Sequence, residues 1–144
     1  MENYLILLSE RILLKAQSRE DSVLLRRELF YLKQKNIDIN LNTDDLKKTF
    51  WINIYNAYVL IIANEPRQHT SVFKQKRIKI SRYHLSLNDI EYGILRNYSY
   101  NIGSIYINNP FYSKFIKTIA ISQLDYNLHF LLNRGALSFN PSRV

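Results

Sequence analysis

The stretch 49–62, TFWINIYNAYVLII, is the most apolar and aromatic run of the sequence and constrains the fold most. Its apolar residues recur at helical spacing on adjoining faces, which is typical of a helix buried nearly all round. Thr43, followed by Asp44 and Asp45, predicts where this helix begins, because an N-cap hydroxyl and first-turn acids suit its free backbone N–H groups and dipole. Pro66 marks its end. We predict a central buried helix around which the rest of the chain packs.

Two amides interrupt this apolar run, Asn53 and Asn56, which are three positions apart and therefore share a helix face. A buried amide without a partner costs about 1 to 3 kcal/mol. We therefore expect polar groups from elsewhere in the chain to meet them.

The composition is that of one ordered domain spanning residues 1–144, with 47% hydrophobic and 13% aromatic residues. The absence of cysteine excludes disulfides, cysteine-ligated zinc and thiol catalysis. The N-terminus lacks the basic region of a signal peptide, and no apolar run reaches the roughly 20 residues that a bilayer span requires. We expect a cytoplasmic protein that does not enter the membrane.

The flanking segments predict a mainly helical α+β fold. Residues 2–16 and a second helix opened by Ser18, with Asp21 three residues on, should form an N-terminal helical hairpin. An Asn-rich loop, 36–42, should lead to the central helix. After a short helical turn at 69–74, the alternation in 77–81 predicts a strand, with a turn at Tyr83-His84 and a partner strand from Leu85, so one small β-hairpin.

The second half of the chain predicts three further helices. Ser86 and Asp89 have the spacing of a capping box and should open a helix that contains Gly93, a residue that permits close approach. Residues 97–109 should be an irregular loop with an extended piece at 105–107, and 111–118 a short amphipathic helix. Residues 128–133 could form a helix or a strand, and Asp125 as a cap and Gly135 as a stop favour the helix.

The net charge of +8 and the pI near 9.7 would allow binding to nucleic acid or an anionic surface. Most cations, however, are scattered over segments that resemble solvated helix faces, and only 74–82 is densely basic. The sequence does not favour a nucleic-acid partner. A basic nucleic-acid-associated protein remains a second alternative.

The candidate catalytic residues are Glu91 and His129. His129 and Asn133 are four apart and share a helix face, and Glu91 could orient the imidazole, as carboxylates do for catalytic histidines. Both candidates also have an explanation without catalysis. His129 could be a hydrogen-bonded structural histidine, and Glu91 could be a solvated acid on a helix surface. Ser138 could serve as a nucleophile, but nothing in the sequence locates an oxyanion site for it.

The sequence predicts neither a cofactor nor a metal site. The three histidines, His69, His84 and His129, are dispersed and have no short ligand spacing. The glycines form no phosphate-binding loop, which excludes nucleotide binding by a P-loop or dinucleotide fold.

Three motifs in order give the chain a family resemblance: 50–57 (FWINIYNA), 85–96 (LSLNDIEYGILR) and 124–133 (LDYNLHFLLN) followed by Gly135-Ala136. With these motifs the chain resembles the DUF547 family in the form found in Bacteroidetes-type bacteria. The resemblance covers essentially the whole chain. Family members with this domain have no established activity, although some plant members are labelled as possible thiol-disulfide or electron-carrier proteins.

The family pattern continues the last motif with two cysteines, and here those positions hold Arg134 and Phe139. The family also continues beyond this motif, whereas this sequence ends at Val144. The resemblance therefore implies a catalytically degenerate, truncated or decayed member that serves as a structural or interaction module, with a protein partner or self-association. The alternative is a thiol-independent hydrolase- or transferase-like enzyme that uses Glu91 and His129.

The resemblance also implies that the three motifs meet. We expect Asn53 or Asn56 to lie within hydrogen-bond reach of Glu91, His129 or Asn133, in one polar cluster beside Gly135, with Ser138 nearby.

Overall fold

The computed structural model describes residues 3–66, 72–97, 99–102, 105–108 and 112–137, with 99–102 and 105–108 as backbone only. Within these ranges the fold is α+β and mainly helical, as predicted. The helices are α1 (Tyr4–Gln17), α2 (Val23–Phe30), α3 (Gln34–Asn40), α4 (Asp44–Ala63), a π-helix (Asp89–Leu95), α5 (Lys114–Ile119), α6 (Leu128–Leu131) and a 3₁₀-helix (Arg134–Leu137). The strands are β1 (Ile78–Ile80), β2 (Tyr83–Leu85), β3 (Ser99–Ile102) and β4 (Ile105–Asn108).

The predicted central helix is α4, and it begins as the sequence indicates. The Thr43 hydroxyl accepts a hydrogen bond from the Leu46 N–H at 3.2 Å, and Asp44 and Asp45 occupy the first turn. Trp51 and Tyr55 are fully buried in this helix. Helix α1 packs along α4, and the π-helix and 3₁₀-helix also contact α4, so α4 organises the core.

The N-terminal helices α1 and α2 are present, but their junction differs from the prediction. Ser18 is the C-cap of α1 rather than the start of α2, because Arg19 adopts a left-handed backbone conformation (φ 58°) that ends the helix. Asp21 then accepts a hydrogen bond from the Val23 N–H at 2.9 Å at the beginning of α2. The predicted loop 36–42 is also corrected, because helix α3 occupies most of it.

The predicted β-hairpin is confirmed, with antiparallel β1 and β2 and with Ile78 and Ile80 buried. The turn, however, is Ser81-Arg82 rather than Tyr83-His84. Both turn residues have positive φ, 51° and 64°, as in the type I′ turns that suit two-residue hairpins. Their N–H groups donate to the main-chain oxygens of Leu29 and Phe30, at 2.9 and 2.8 Å. These two bonds attach the hairpin to the end of α2, where the Leu29 oxygen also accepts from the Leu32 N–H at 3.3 Å.

A second antiparallel hairpin, β3–β4, replaces most of the irregular loop predicted for 97–109. The predicted extended piece at 105–107 lies within β4. The predicted turn at 69–74 falls partly outside the described residues, which include only its end, 72–74.

The predicted capping box opens the helix of the second motif. The Ser86 hydroxyl accepts from the Asp89 N–H at 3.0 Å, and the Asp89 carboxylate accepts from the Ser86 N–H at 2.8 Å. The helix continues as a π-helix, in which backbone bonds join residues five apart. A Cβ on Gly93 would lie 2.9 Å from Cγ2 of Ile116, so this glycine allows α5 to approach closely.

The C-terminal elements are shorter than predicted. Helix α5 begins at Lys114, after the N-cap Ser113, and Phe111 of the predicted helix lies outside the described residues. Asp125 accepts from the Asn127 N–H at 2.9 Å ahead of α6, and the helix predicted over 128–133 ends at Leu131. No helix in the described part of the chain is long and apolar enough to cross a bilayer.

Candidate functional site

Glu91 is the centre of a buried ionic cluster at which all three sequence motifs meet. Its residue is 2% exposed, so its carboxylate cannot be solvated by bulk water. It accepts hydrogen bonds from the Tyr55 hydroxyl at 3.2 Å, from the Arg96 guanidinium at 3.2 and 3.4 Å, and from the Arg134 guanidinium. This Glu91 cluster joins α4, the π-helix and the 3₁₀-helix.

The π-helix explains how Glu91 and Arg96 form an ion pair. The two residues are five apart, and the i to i+5 backbone bonding of a π-helix places such residues about one turn apart. An ordinary α-helix brings together residues three or four apart instead. The change in helical pitch therefore puts a guanidinium on the buried carboxylate within one motif.

Tyr55 contributes a neutral hydroxyl to the cluster. Burial raises the pKa of this phenol far above its ordinary value, and the nearby Glu91 carboxylate raises it further. Tyr55 therefore keeps its proton at neutral pH, donates a hydrogen bond to Glu91 and does not act as a base.

Arg134 completes the cluster from the opposite end of the chain. The 3₁₀-helix begins at this residue, and its guanidinium also lies over the Phe73 ring, 4.5 Å from the ring centre. Its side chain is 39% exposed, so one part of it faces solvent while another contacts Glu91. Arg134 is at the first of the two positions for which the resemblance described above implies cysteine.

Asn56 connects the first motif to the third through main-chain groups. Its side-chain oxygen accepts from the Asn133 N–H at 2.8 Å, and its side-chain nitrogen donates to the Leu131 carbonyl at 2.9 Å. Asn56 therefore contacts Asn133 through the main chain of Asn133 and not through its side chain. The amide fastens the segment between α6 and the 3₁₀-helix to α4.

Asn53 has a different partner from the one expected. Its side-chain nitrogen donates to the Ser9 hydroxyl at 3.1 Å, and that hydroxyl donates to the Ile6 carbonyl at 2.7 Å. Both amides are half-buried rather than fully buried. Asn53 therefore joins α4 to α1, outside the cluster of the three motifs.

The structure does not bring Glu91 and His129 together as a hydrogen-bonded pair. Among the described residues, the hydrogen-bond partners of Glu91 are Tyr55, Arg96 and Arg134. His129 is exposed, and its ring centre lies 3.9 Å from that of Phe130. Short helix α6 turns His129 towards solvent. The Asn133 side chain is exposed too, and Ser138 lies outside the described residues. Glu91 is also not a solvated helix acid, which was its explanation without catalysis, because the residue is buried.

Sequence reasoning missed three residues of the cluster: Tyr55, Arg96 and Arg134. Tyr55 belongs to an aromatic stripe that predicts core packing, and Arg134 is evident only as a departure from the family pattern. Five-residue spacing between Glu91 and Arg96 carries no signal unless a π-helix is expected. The one sequence feature that could have pointed to the cluster was the positive charge of Arg134 next to an apolar motif.

The chemistry open to this site is limited by its charges. The Glu91 carboxylate is held in ion pairs with two guanidinium groups, and its oxygens accept their hydrogen bonds. Within the described ranges, no three His, Asp or Glu side chains gather in a way that could hold a metal ion. The arrangement is suited to holding three segments together.

Comparison with known proteins agrees with the motifs. The sequence model of the family described as "Protein of unknown function, DUF547" matches residues 39–144. No curated protein and no solved structure matches the chain. The family match begins shortly before α4 and includes all residues of the Glu91 cluster, and this chain therefore belongs to the DUF547 family.

Proposed function

We propose that this chain is a non-catalytic DUF547 domain, in which the three motifs hold the C-terminal segment on α4 and the domain acts as an interaction module. The ion pair between Arg134 and Glu91 is the observation that carries this proposal. A guanidinium remains protonated at physiological pH and occupies a position where the family pattern has a thiol. The chain has no cysteine that could replace that thiol.

The arrangement of His129 supports the same proposal against a thiol-independent hydrolase or transferase. An imidazole acting as general base normally has a group that orients it within hydrogen-bond reach. Glu91, the carboxylate expected for this role, is committed to Tyr55 and two arginines. A catalytic pair would require the Glu91 cluster to open.

The test is turnover of a panel of p-nitrophenyl esters and thioesters by the purified protein and its His129→Ala variant. We expect no turnover above that of buffer for either protein. Because His129 is exposed, His129→Ala should leave the melting temperature unchanged. Turnover by the wild type that disappears in a stably folded His129→Ala variant would refute the non-catalytic assignment.

An exposed apolar cluster around α6 supports the interaction role. Tyr126 is 73%, Phe130 76% and Leu131 49% exposed, whereas soluble domains expose such neighbouring large apolar side chains mainly at contact surfaces. The proposed partner is a second copy of this chain. Sedimentation velocity should show concentration-dependent association that Phe130→Ser weakens and Leu14→Ser, an exposed position on α1, does not; a monomer at all concentrations would refute it.

A further inference from the structure

A basic groove lies where α2 and β1 meet over α4, and its volume is about 660 Å³. It shares no lining residue with the Glu91 cluster and is a separate surface. Among the described residues that line it, none is acidic and five are cationic: Arg26, Arg27, Lys76, Arg77 and Lys79. The groove therefore favours an anionic ligand.

Two of these cations are available to such a ligand. Arg77 is paired with Glu65 at 2.8 Å, and Lys76 is paired with Asp89. Arg27 and Lys79 are exposed, and neither has a carboxylate partner in the described part of the chain. An approaching phosphate would therefore meet these two side chains without having to break an ion pair.

The same groove has an aromatic wall. Tyr31 is 60% exposed, and the ring of Phe30 meets it edge-on, with ring centres 5.1 Å apart. The Arg82 guanidinium lies 5.9 Å from the Tyr31 ring centre and adds a further cation at this end. An exposed aromatic ring beside cations can stack a base while the cations contact phosphates.

The fold brings together two basic segments that are far apart in sequence. Arg26 and Arg27 lie on α2, and Lys79 lies on β1, about fifty residues later. The hydrogen bonds from the Ser81 and Arg82 N–H groups to Leu29 and Phe30 fix the hairpin against the end of α2. Charges that look scattered along the sequence therefore form one surface.

We propose that this groove binds single-stranded nucleic acid, with backbone phosphates on Arg27 and Lys79 and a base stacked on Tyr31. A single strand is the ligand that offers a phosphate series and unpaired bases together. A duplex would present its phosphates but not the face of a base to Tyr31. An acidic peptide would match the cations but not the exposed ring.

Fluorescence anisotropy of a labelled single strand of about twelve nucleotides, as oligo(U) and as oligo(dT), tests the proposal, because such a strand covers one binding site of this general kind. For two phosphate contacts, the logarithm of the affinity should fall with the logarithm of salt concentration with a slope of about −1.4. The double variant Arg27→Glu/Lys79→Glu should bind at least tenfold more weakly and lose most of this slope. Its matched control is Lys35→Glu/Lys114→Glu, an equal charge change at exposed positions outside the groove, which should reduce binding less than threefold.

Tyr31→Ala separates base stacking from simple attraction to a polyanion. We expect this substitution to weaken binding of the single strand by about fivefold or more and to leave heparin binding unchanged. Circular dichroism melting should show that each variant is folded, and Arg27→Gln/Lys79→Gln should give the same order of effect if the charge reversal unfolds the protein.

Any one of the following results would overturn the proposal. They are no binding of the strand by the wild type at about 50 mM salt, equal weakening by the two double variants, no effect of Tyr31→Ala, and equally tight binding of a duplex of the same length. Competition by uridine monophosphate as effective as that by the strand, at equal nucleotide concentration, would assign the groove to free nucleotides and overturn it as well.

Discussion

The guanidinium of Arg134 donates a hydrogen bond to the carboxylate of Glu91, although the two residues are 43 positions apart. The Glu91 side chain is 3% exposed and the Arg134 side chain 39%, so the pair links the interior to the surface. Removing one partner of such a pair is costly because the other charge remains in a poorly solvated place. The energetic role of the cluster can therefore be measured by substitution.

A double-mutant cycle measures this pair directly. Glu91→Gln should lower the free energy of unfolding by about 2 to 3 kcal/mol, because two arginines lose their carboxylate. Arg134→Gln should cost about 1 to 2 kcal/mol, since Arg96 still pairs with Glu91. Urea denaturation of both variants and of the double variant should give a coupling energy of at least about 0.5 kcal/mol.

The control for the cycle is Glu10→Gln, at an exposed position of α1, which should change stability by less than about 0.5 kcal/mol. Strictly additive effects of Glu91→Gln and Arg134→Gln would show that the pair contributes nothing of its own.

Alkaline pH should destabilise the fold through Tyr55. In the folded protein the pKa of this phenol is raised above the ordinary value of 10.0, mainly by burial and secondly by the Glu91 carboxylate. The unfolded chain therefore loses this proton first, and stability falls as pH rises above about 10. In urea titrations at increasing pH, Tyr55→Phe should show a shallower decline than the wild type, although it is less stable at neutral pH.

Tyr31→Phe, which removes an exposed phenol, serves as the control and should decline as steeply as the wild type. An identical slope for Tyr55→Phe and the wild type would contradict a raised pKa at Tyr55.

The two described glycines should respond differently to an added methyl group. Gly93→Ala places a Cβ 2.9 Å from Ile116 and 3.1 Å from Tyr112, so α5 must move away from the π-helix. We expect a loss of about 1 to 3 kcal/mol, as in other overpacked cores. Gly135→Ala meets no atom within 4 Å and should change the melting temperature little; equal effects would show that the close approach is unimportant.

The Asn56 side chain should contribute more to the free energy of unfolding than an amide at the surface. Asn56→Leu leaves the Leu131 carbonyl and the Asn133 N–H without their partner, and we expect it to cost about 1 to 3 kcal/mol. Asn42→Leu, at an exposed position before α4, should cost less than about 0.5 kcal/mol. Chemical denaturation compares the two, and similar losses would mean that water replaces the partners of Asn56.

Local signals predicted the fold where neighbouring residues determine it. Thr43 caps α4, and Ser86 and Asp89 form the reciprocal pair that their spacing indicates. The prediction that Ser18 begins α2 failed for a local reason. Serine occurs at either end of a helix, and the left-handed backbone of Arg19 places Ser18 at the end of α1. The Ser81-Arg82 turn was missed because neither residue is a glycine or asparagine, the usual signs of positive φ.

The candidate site could be predicted only in part, because its contacts are distant in sequence. The motifs drew attention to Glu91 and Asn56, but the choice of Arg134 rather than His129 as the partner of Glu91 depends on how far α6 extends. That helix ends at Leu131, and the following 3₁₀-helix places Arg134 rather than His129 against the cluster. No spacing rule on a single helix could have shown this.

The bonds that fasten the segment 131–134 to α4 and the π-helix also set an order of events during protein synthesis. Their partners are separated by 43 to 77 positions, so the loops that they close are long. Each of these contacts requires that both of its partners have been synthesised, and closing the loop between them costs chain entropy. On the ribosome, α1 and α4 can pair while translation continues, but Glu91 receives its second arginine only after Arg134 has emerged.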